Sequence, residues 1–448
     1  MKVLFSNPPW WGETHKHLDG QGREIETYTT GVRAGSRWPF THPYPVPPGH
    51  FSIGSCSPYP FFMGYAATYA EKAAGANMVF RDSIATREPY DSYFAFLQEQ
   101  QFGYIVIESA TPSWPHDKRI IEKIEGLSPR TKIIVTGPIT SIGKQILDEV
   151  PIHAGVRGEY EKGVVKVLQG ATGMIEHDLL TVDEMNASPF PYYDDVIAHR
   201  YFDVNPKGSR MTQAQVWSSR GCPYKCIFCV WPATMTGNDP TGTGKRTVRH
   251  YSGDYMEAFL TELVQKYGFR SIYFDDDTFN LGDKHVEKMC AVMRKIGVPW
   301  SAMCRADTSR MELWKEMKDS GCFGVKLGFE SGNQYVVDSI VNKHLDLEYA
   351  RKAVAECKRV GMTVHGTFTY GLPGETHEQM LDTRRYRESL GLDTFQESGT
   401  AEIEGTPLHT LSNEKALKKY SGAQIDEDYV RETDGRLKFE KIRQSLQS

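Results

Sequence analysis

Over the first 170 residues short apolar runs alternate with stretches of helical apolar spacing. Residues 2–6, 78–81, 104–108, 132–136 and 153–157 each have the length and continuity of a buried strand. Between them, residues 61–74, 90–100, 116–125 and 141–149 carry helical patterns, the first closing at Gly75, a C-cap candidate. This βαβα rhythm predicts a parallel, doubly wound sheet. Ligands of such sheets sit beyond the C-terminal strand ends. Those ends carry Ser6-Asn7-Pro8-Pro9-Trp10, Ser109-Ala110-Thr111-Pro112, Gly137-Pro138 and Gly158-Glu159. Small, turn-forming residues there let a bulky flat ligand approach the backbone.

Residues 11–49 interrupt the first βα unit with an aromatic, polar stretch that includes Arg33, Arg37, Trp38, His42 and Tyr44. A loop of that length in a compact domain reads as a functional lid or a disordered segment, and its aromatics weigh against pure disorder. Residues 171–210, with Pro189-Phe190-Pro191, lack periodicity and read as a linker packed across the surface. Alternation then resumes over residues 211–410. Strands are predicted at 215–218, 271–274, 300–303, 324–329, 363–370 and 394–398, separated by helical patterns such as 255–267 and 285–296. Six βα units predict a partial (β/α)6 barrel with its site at the C-terminal mouth. Residues 411–448 form a charged, weakly helical tail.

The chain has 448 residues, too many for one ordinary core, so two domains are expected. Its 40% hydrophobic and 24% charged content is that of a soluble globular protein. A net charge of −5 supplies no basic footprint, which argues against nucleic acid as a main partner. No apolar stretch is long enough to span a bilayer, and residues 1–10 lack a signal-peptide layout, so a cytoplasmic protein is expected. Eight cysteines in a chain this long are not a disulfide framework. In a reducing compartment, clustered cysteines point to metal or redox chemistry.

Three of them, Cys222, Cys226 and Cys229, share the run Ser219-Arg220-Gly221-Cys222-Pro223-Tyr224-Lys225-Cys226-Ile227-Phe228-Cys229. Three thiolates ligate three irons of a cuboidal cluster and leave the fourth iron open to a substrate or cofactor. A structural zinc site needs four protein ligands. The remaining candidates, His250, Cys290, Cys304 and Cys322, are distant in sequence. A thiol–disulfide pair at Cys226 and Cys229 would need a thioredoxin-like context, which is not what surrounds them.

This run resembles the Cys-x3-Cys-x-aromatic-Cys signature of the radical S-adenosylmethionine (SAM) superfamily, and the resemblance extends over about residues 212–410. It implies a [4Fe–4S] cluster on the three cysteines and SAM chelated by the open iron. It further implies reductive cleavage of SAM to a 5′-deoxyadenosyl radical, with Phe228 beside the adenine. Later strand ends carry matching motifs in the family's order. Asp276 and Asp277, in Phe274-Asp275-Asp276-Asp277-Thr278-Phe279, best match the pair that receives the methionine ammonium; a solvated acidic turn or a hard-metal site is the alternative. Arg305 is placed for the SAM carboxylate or an ordinary salt bridge. Glu330-Ser331-Gly332 resembles the ribose motif. Gly371-Leu372-Pro373-Gly374-Glu375 resembles the stretch against adenine, where Gly371 and Gly374 would lie.

The first 170 residues resemble the cobalamin-binding domain that precedes the barrel in one class of radical SAM enzymes. The matching stretches are Asn7-Pro8-Pro9, Thr136-Gly137-Pro138 and Val156-Arg157-Gly158-Glu159-Tyr160-Glu161. The resemblance implies cobalamin contacts at Asn7, Pro8, Ser109, Thr111, Gly137, Pro138, Gly158 and Glu159. No Asp-x-His-x-x-Gly run is present; the segment after Arg81 reads Asp82-Ser83-Ile84-Ala85-Thr86. The implied function is methylation of an unactivated carbon of a small-molecule substrate, with electrons from a flavodoxin- or ferredoxin-like donor. Cyclisation or rearrangement without methyl transfer, and a non-catalytic iron–sulfur sensor, are the other readings. His365, Tyr370, Glu402 and Glu404 receive no catalytic role from the sequence. Cys290 and Cys357 read as apolar fillers.

Overall fold

The computed structural model describes the chain except residues 19–21, 23, 31–39, 45–55, 87, 210–211, 414–434, 444 and 447–448. It divides into two compact units, Met1–Asp203 and Val204–Ser448.

The first unit is built on a six-stranded sheet of β1 (Lys2–Asn7), β2 (Asn77–Asp82), β3 (Tyr104–Glu108), β4 (Lys132–Thr136), β5 (Ala154–Val156) and β6 (Gly173–Ile175). The spatial order is β6-β5-β4-β3-β1-β2, and every pairing is parallel. Val3, Leu4, Phe5, Val106, Ile134 and Val135 are fully buried. Parallel sheets covered on both faces demand such unbroken apolar runs. Helices α1 (Phe61–Ala74), α2 (Tyr90–Gln100), α3 (Trp114–Leu127) and α4 (Tyr160–Leu168) lie between the strands in sequence. Gly75 ends α1 in the left-handed conformation, its N–H donating to the Ala70 carbonyl. The chain order reverses direction between β1 and β3, the switch point at which open α/β sheets bind ligands.

Two stretches differ from the sequence expectation. The interrupting segment is a three-stranded antiparallel sheet of residues Trp11–Leu18, Glu24–Thr30 and Phe40–Tyr44, not an irregular loop. Its Arg33, Arg37 and Trp38 lie outside the described residues. The expected linker belongs in large part to the first unit. It contributes β6 and a helix, Val182–Ala187, opened by a Thr181/Glu184 capping box. Tyr193 stacks on Tyr59 at 4.6 Å, and Tyr201 donates to Asp82 at 3.0 Å.

The second unit is a parallel sheet of β7 (Gln213–Val216), β8 (Ser271–Phe274), β9 (Trp300–Cys304), β10 (Cys322–Glu330), β11 (Thr363–Tyr370) and β12 (Thr394–Gly399), paired in sequential order. Helices α5 (Gly253–Gln265), α6 (Asp283–Ile296), α7 (Glu312–Asp319), α8 (Leu347–Arg359) and α9 (His377–Ser389) connect the strands. This is the open (β/α)6 arrangement. Alternation sorts its two faces. Ala214, Val216, Ile272, Phe274, Ala302, Val325, Leu327 and Val364 form a buried apolar face for the helices. The other face carries Gln213, Gln215, Tyr273, Ser301, Lys326 and His365.

Candidate active site

The cysteine loop leaves β7 through a short strand, Ser219–Arg220, paired with Arg249–His250. Gly221 follows at φ +94°, where an added Cβ would stand 2.3 Å from the Thr247 carbonyl oxygen, so only glycine fits. Two carboxylates at the end of β8 fasten this turn. Asp276, 2% exposed, accepts from the Ser218 amide at 3.1 Å, the Ser218 hydroxyl at 2.9 Å and the Ser219 hydroxyl. Asp277 accepts from the Gly221 amide at 3.0 Å and from the Thr236 hydroxyl at 3.4 Å. Burial pushes the Asp276 carboxyl up to about 7 and that of Asp277 up to about 6, even against these donors.

Further along, Arg246 donates to the Tyr224 carbonyl at 2.6 Å while pairing with Asp239 at 2.9 Å. Asn342 donates to the Lys225 carbonyl at 3.2 Å. Ile227 donates its amide to Val341 and accepts at its carbonyl from Leu408. Ile227 and Phe228 share an apolar cluster with Val336, Val341, Leu372 and Leu408, so Phe228 and the Gly371–Glu375 turn belong to one packed group. The loop is thus held at its start, middle and end. Cys222 is buried, Cys226 and Cys229 are half-buried, and none of the three is in a disulfide.

Glu330 ends β10 at φ +70°, past a bulge in the pairing with β11. Its carboxylate accepts from Lys343 Nζ at 3.0 Å and from Thr369 Oγ1 at 2.9 Å. Burial pulls the Lys343 ammonium down, but Glu330 and Cys226 hold it above the usual lysine range. Sequence reasoning missed Lys343; its only signal was a lysine some dozen residues after the ribose-like motif. Ser331 turns inward instead, its hydroxyl meeting Thr383 at 2.8 Å. Arg305 is engaged on every side. It pairs with Asp307, donates to the carbonyls of Lys343 and His344 at 2.8 Å, and stacks 3.7 Å over the Tyr224 ring. Gly371 and Gly374 take φ +67° and +75°, and burial pushes Glu375 in the same turn up to about 8.

In the first unit, Asn7, Ser109 and Thr111 flank the switch point. Asn7 Nδ2 and Thr111 Oγ1 are buried with no hydrogen-bond partner among the described residues. Ser109 Oγ donates to Asp117. Gly137, at φ +93°, passes so close to Ser109 that a Cβ would meet its carbonyl oxygen at 2.3 Å, and Pro138 starts a 3-10 turn. Pro8 is buried beside Asn7. Gly158 takes φ +74°, but Glu159 turns to the Leu180 amide at 3.1 Å. His116, unsignalled in the sequence, joins this edge. Trp10 stacks on it at 4.7 Å, Tyr90 OH lies 3.0 Å from Nε2, and Asp117 is 3.3 Å from Nδ1.

The residues present fit the groups expected of them. Three cysteines outside any disulfide, on one fastened loop, can splay around a cluster, and among the described residues no three His, Cys, Asp or Glu side chains converge on a single metal ion. Glu330, Lys343 and the Phe228–Leu372 contact offer the carboxylate, cation and apolar wall that SAM requires. Buried polar atoms at Asn7 and Thr111, beside a cradle at Gly137 that a Cβ would fill, suit a flat polar macrocycle.

A (β/α)6 sheet with this cysteine loop defines a radical SAM domain, and residues 218–386 match the model of the Radical SAM superfamily. The chain therefore contains a radical SAM domain, a family whose members bind a [4Fe–4S] cluster and SAM. Among similar proteins, one named as an uncharacterized methyltransferase of Pyrococcus horikoshii is 28% identical over 330 residues, 68% of each chain. The cytidylyl-2-hydroxyethylphosphonate methyltransferase of Streptomyces wedmorensis is 26% identical over 279 residues, 59% of this chain and 48% of that one. The solved structure of the radical SAM methyltransferase TsrM from Kitasatospora setae, with cobalamin and a [4Fe–4S] cluster bound, superposes with a TM-score of 0.66 at 14% identity, covering 98% of this chain and 85% of that one. This last likeness places the fold in the Rossmann-plus-barrel arrangement. No described helix is long and apolar enough to cross a membrane.

Proposed function

We propose that this chain is a cobalamin-dependent radical SAM methyltransferase acting on an unactivated carbon of a small metabolite, supplied with electrons by a flavodoxin- or ferredoxin-like protein. The observation that carries the reading is the presence, in one chain, of the three-cysteine loop and a doubly wound sheet whose switch-point edge has buried polar atoms at Asn7 and Thr111 with no hydrogen-bond partner among the described residues. When bound, cluster and SAM supply a radical initiator and cobalamin a transferable methyl group.

The protein's own residues bind, orient and shield. Cys222, Cys226 and Cys229 hold the cluster. Glu330 meets the ribose hydroxyls, with Lys343 keeping its carboxylate ionised and aimed. Phe228, Gly371 and Gly374 wall the adenine. Asp276 was expected at the SAM ammonium, yet its carboxylate is committed to Ser218 and Ser219; we assign Asp276 and Asp277 to holding the cysteine loop in place. Arg305 likewise fastens Tyr224 and the 343–344 turn, and its guanidinium donates to the Asp307 carboxylate and to the Lys343 and His344 carbonyls, so we assign it to holding this turn. In the first unit, Asn7, Pro8, Ser109, Thr111, Gly137, Pro138 and Gly158 form the cobalamin contact, with Glu159 bracing the Leu180 turn behind it.

The reading is tested by incubating anaerobically reconstituted, cobalamin-loaded protein with SAM and reductant. Methyl transfer predicts both 5′-deoxyadenosine and S-adenosylhomocysteine. 5′-Deoxyadenosine alone identifies a cyclase or rearrangement enzyme, and neither product identifies a sensor.

A further inference from the structure

The charged C-terminal segment does not trail from the barrel. Its helix α10 (Gly435–Arg443) packs along β12 and across the end of β11. Glycines at those two strand ends make its seat. A Cβ on Gly399 would stand 2.6 Å from Lys438 Cβ and 2.8 Å from the Phe439 amide nitrogen, so a side chain there has to displace the helix backbone. A Cβ on Gly371 would stand 2.4 Å from Ile442 Cδ1 and 3.0 Å from Lys438 Cε. The Phe439 ring lies 5.2 Å from that of Tyr370, and Arg384 of α9 donates to the Leu446 carbonyl at 2.5 Å. The helix is thus fixed at both ends and along its length.

What α10 carries into this seat is a charge. Lys438 is 1% exposed, and lysines are buried so completely only where a counter-charge answers them. Glu375, in the Gly371–Glu375 turn, supplies one. Its carboxylate accepts from the Leu372 amide at 3.1 Å and from the Gly371 amide, closing the turn on itself. Burial pushes the Glu375 carboxyl up to about 8, and the Lys438 charge opposes that rise. Leu372, held by this carboxylate, shares an apolar cluster with Phe228. A continuous line of interactions therefore runs from α10 through Glu375 to both walls assigned to the adenine.

We propose that α10 is a working part of the SAM site, with Lys438 as a positioning residue whose buried ammonium holds the Glu375 carboxylate, and through it the Gly371–Glu375 turn, in the shape that receives the adenine. The inference rests on the SAM reading above and adds to that site a residue that no motif announces. Lys438 touches neither SAM nor the cluster cysteines in this arrangement. It acts through Glu375, so its removal should be felt in SAM affinity and not in cluster assembly.

SAM binding is measured by equilibrium dialysis on the anaerobically reconstituted full chain without reductant, so that no turnover runs. Iron per chain is measured on each sample to show that the barrel has folded. Lys438→Met should weaken SAM binding about fivefold or more with its iron unchanged. Lys438→Arg, which keeps the charge, should bind more tightly than Lys438→Met. In a Glu375→Gln background, itself weakened, Lys438→Met should cost little more, because no carboxylate remains for the ammonium to hold. A lysine that only filled space would cost the same in both backgrounds, and that result overturns the proposal. So does wild-type affinity in Lys438→Met. Should Lys438→Met fail to load iron, Gly399→Ala decides, since it displaces α10 and leaves the turn's own residues in place: weakened SAM binding supports the proposal and wild-type affinity overturns it. Glu440→Gln, exposed on the same helix, should bind SAM as the wild type does. Wild-type protein that loads iron but binds no SAM overturns the SAM reading together with this one, whereas failure confined to the variants leaves that reading standing.

Discussion

At the scale of single residues, the Glu330–Lys343 pair is the sharpest commitment the barrel makes. Both side chains are largely buried, with N–O separation 3.0 Å. Removing one charge strands the other, which in buried pairs costs about 3 kcal/mol or more. Glu330→Gln should therefore lower the urea midpoint and weaken SAM binding at least about tenfold, whereas Glu378→Gln, on an exposed rim pair, should change neither. His285, buried in the barrel unit, makes stability depend on pH. Burial first, and the neighbouring His250 stacked 4.1 Å away, push its imidazole down to about 3. The folded state keeps the ring neutral, while the unfolded chain takes up a proton below its ordinary value of 6.5. Stability present above pH 6.5 is thus lost as pH falls toward 3, by up to about 1.4 kcal/mol per pH unit from this group. His285→Gln should flatten that slope in urea titrations repeated across the range. Of these residues the sequence displayed Glu330 and the cysteines, because their motifs are contiguous. Lys343 and His285 reach their partners only through the fold, and the hydrogen bonds of Asp276 run back to Ser218 and Ser219 across 58 and 57 positions, which no contiguous motif displays.

At the scale of elements, turns decide where ligands can come close. Gly137 holds φ +93° against the Ser109 carbonyl oxygen. Gly137→Ala should destabilise the first unit by roughly 1–3 kcal/mol and weaken cobalamin retention, read as a lower thermal midpoint and less cobalt per chain after desalting. The strands of the first unit were legible because each is a continuous apolar run, which only a covered parallel sheet explains. The antiparallel sheet at residues 11–44 was not, since Trp11–Leu18 and Glu24–Thr30 are threonine-, histidine- and glutamate-rich and show no apolar alternation. The same holds for residues 171–203. They add a three-residue strand and a six-residue helix, pieces too short for periodicity to reveal. In the barrel, β7 begins two residues earlier than its apolar pattern implied, because Gln213 and Gln215 face the polar side.

At the scale of the whole molecule, the chain couples a radical SAM barrel to a doubly wound unit, and the methyltransferase reading depends on both being loaded. Replacing any one of Cys222, Cys226 or Cys229 with alanine should abolish 5′-deoxyadenosine formation while leaving cobalamin binding intact, since the cysteines and the proposed cobalamin contacts fall in separate units. The most direct test of the central claim is metal analysis of the full chain after anaerobic reconstitution with iron, sulfide and cobalamin and removal of unbound cofactor. Roughly four irons and stoichiometric cobalt per chain are expected, with the iron lost and the cobalt kept in Cys226→Ala. Iron without cobalt would contradict the assignment of the first unit as a cobalamin domain and with it the route to methyl transfer.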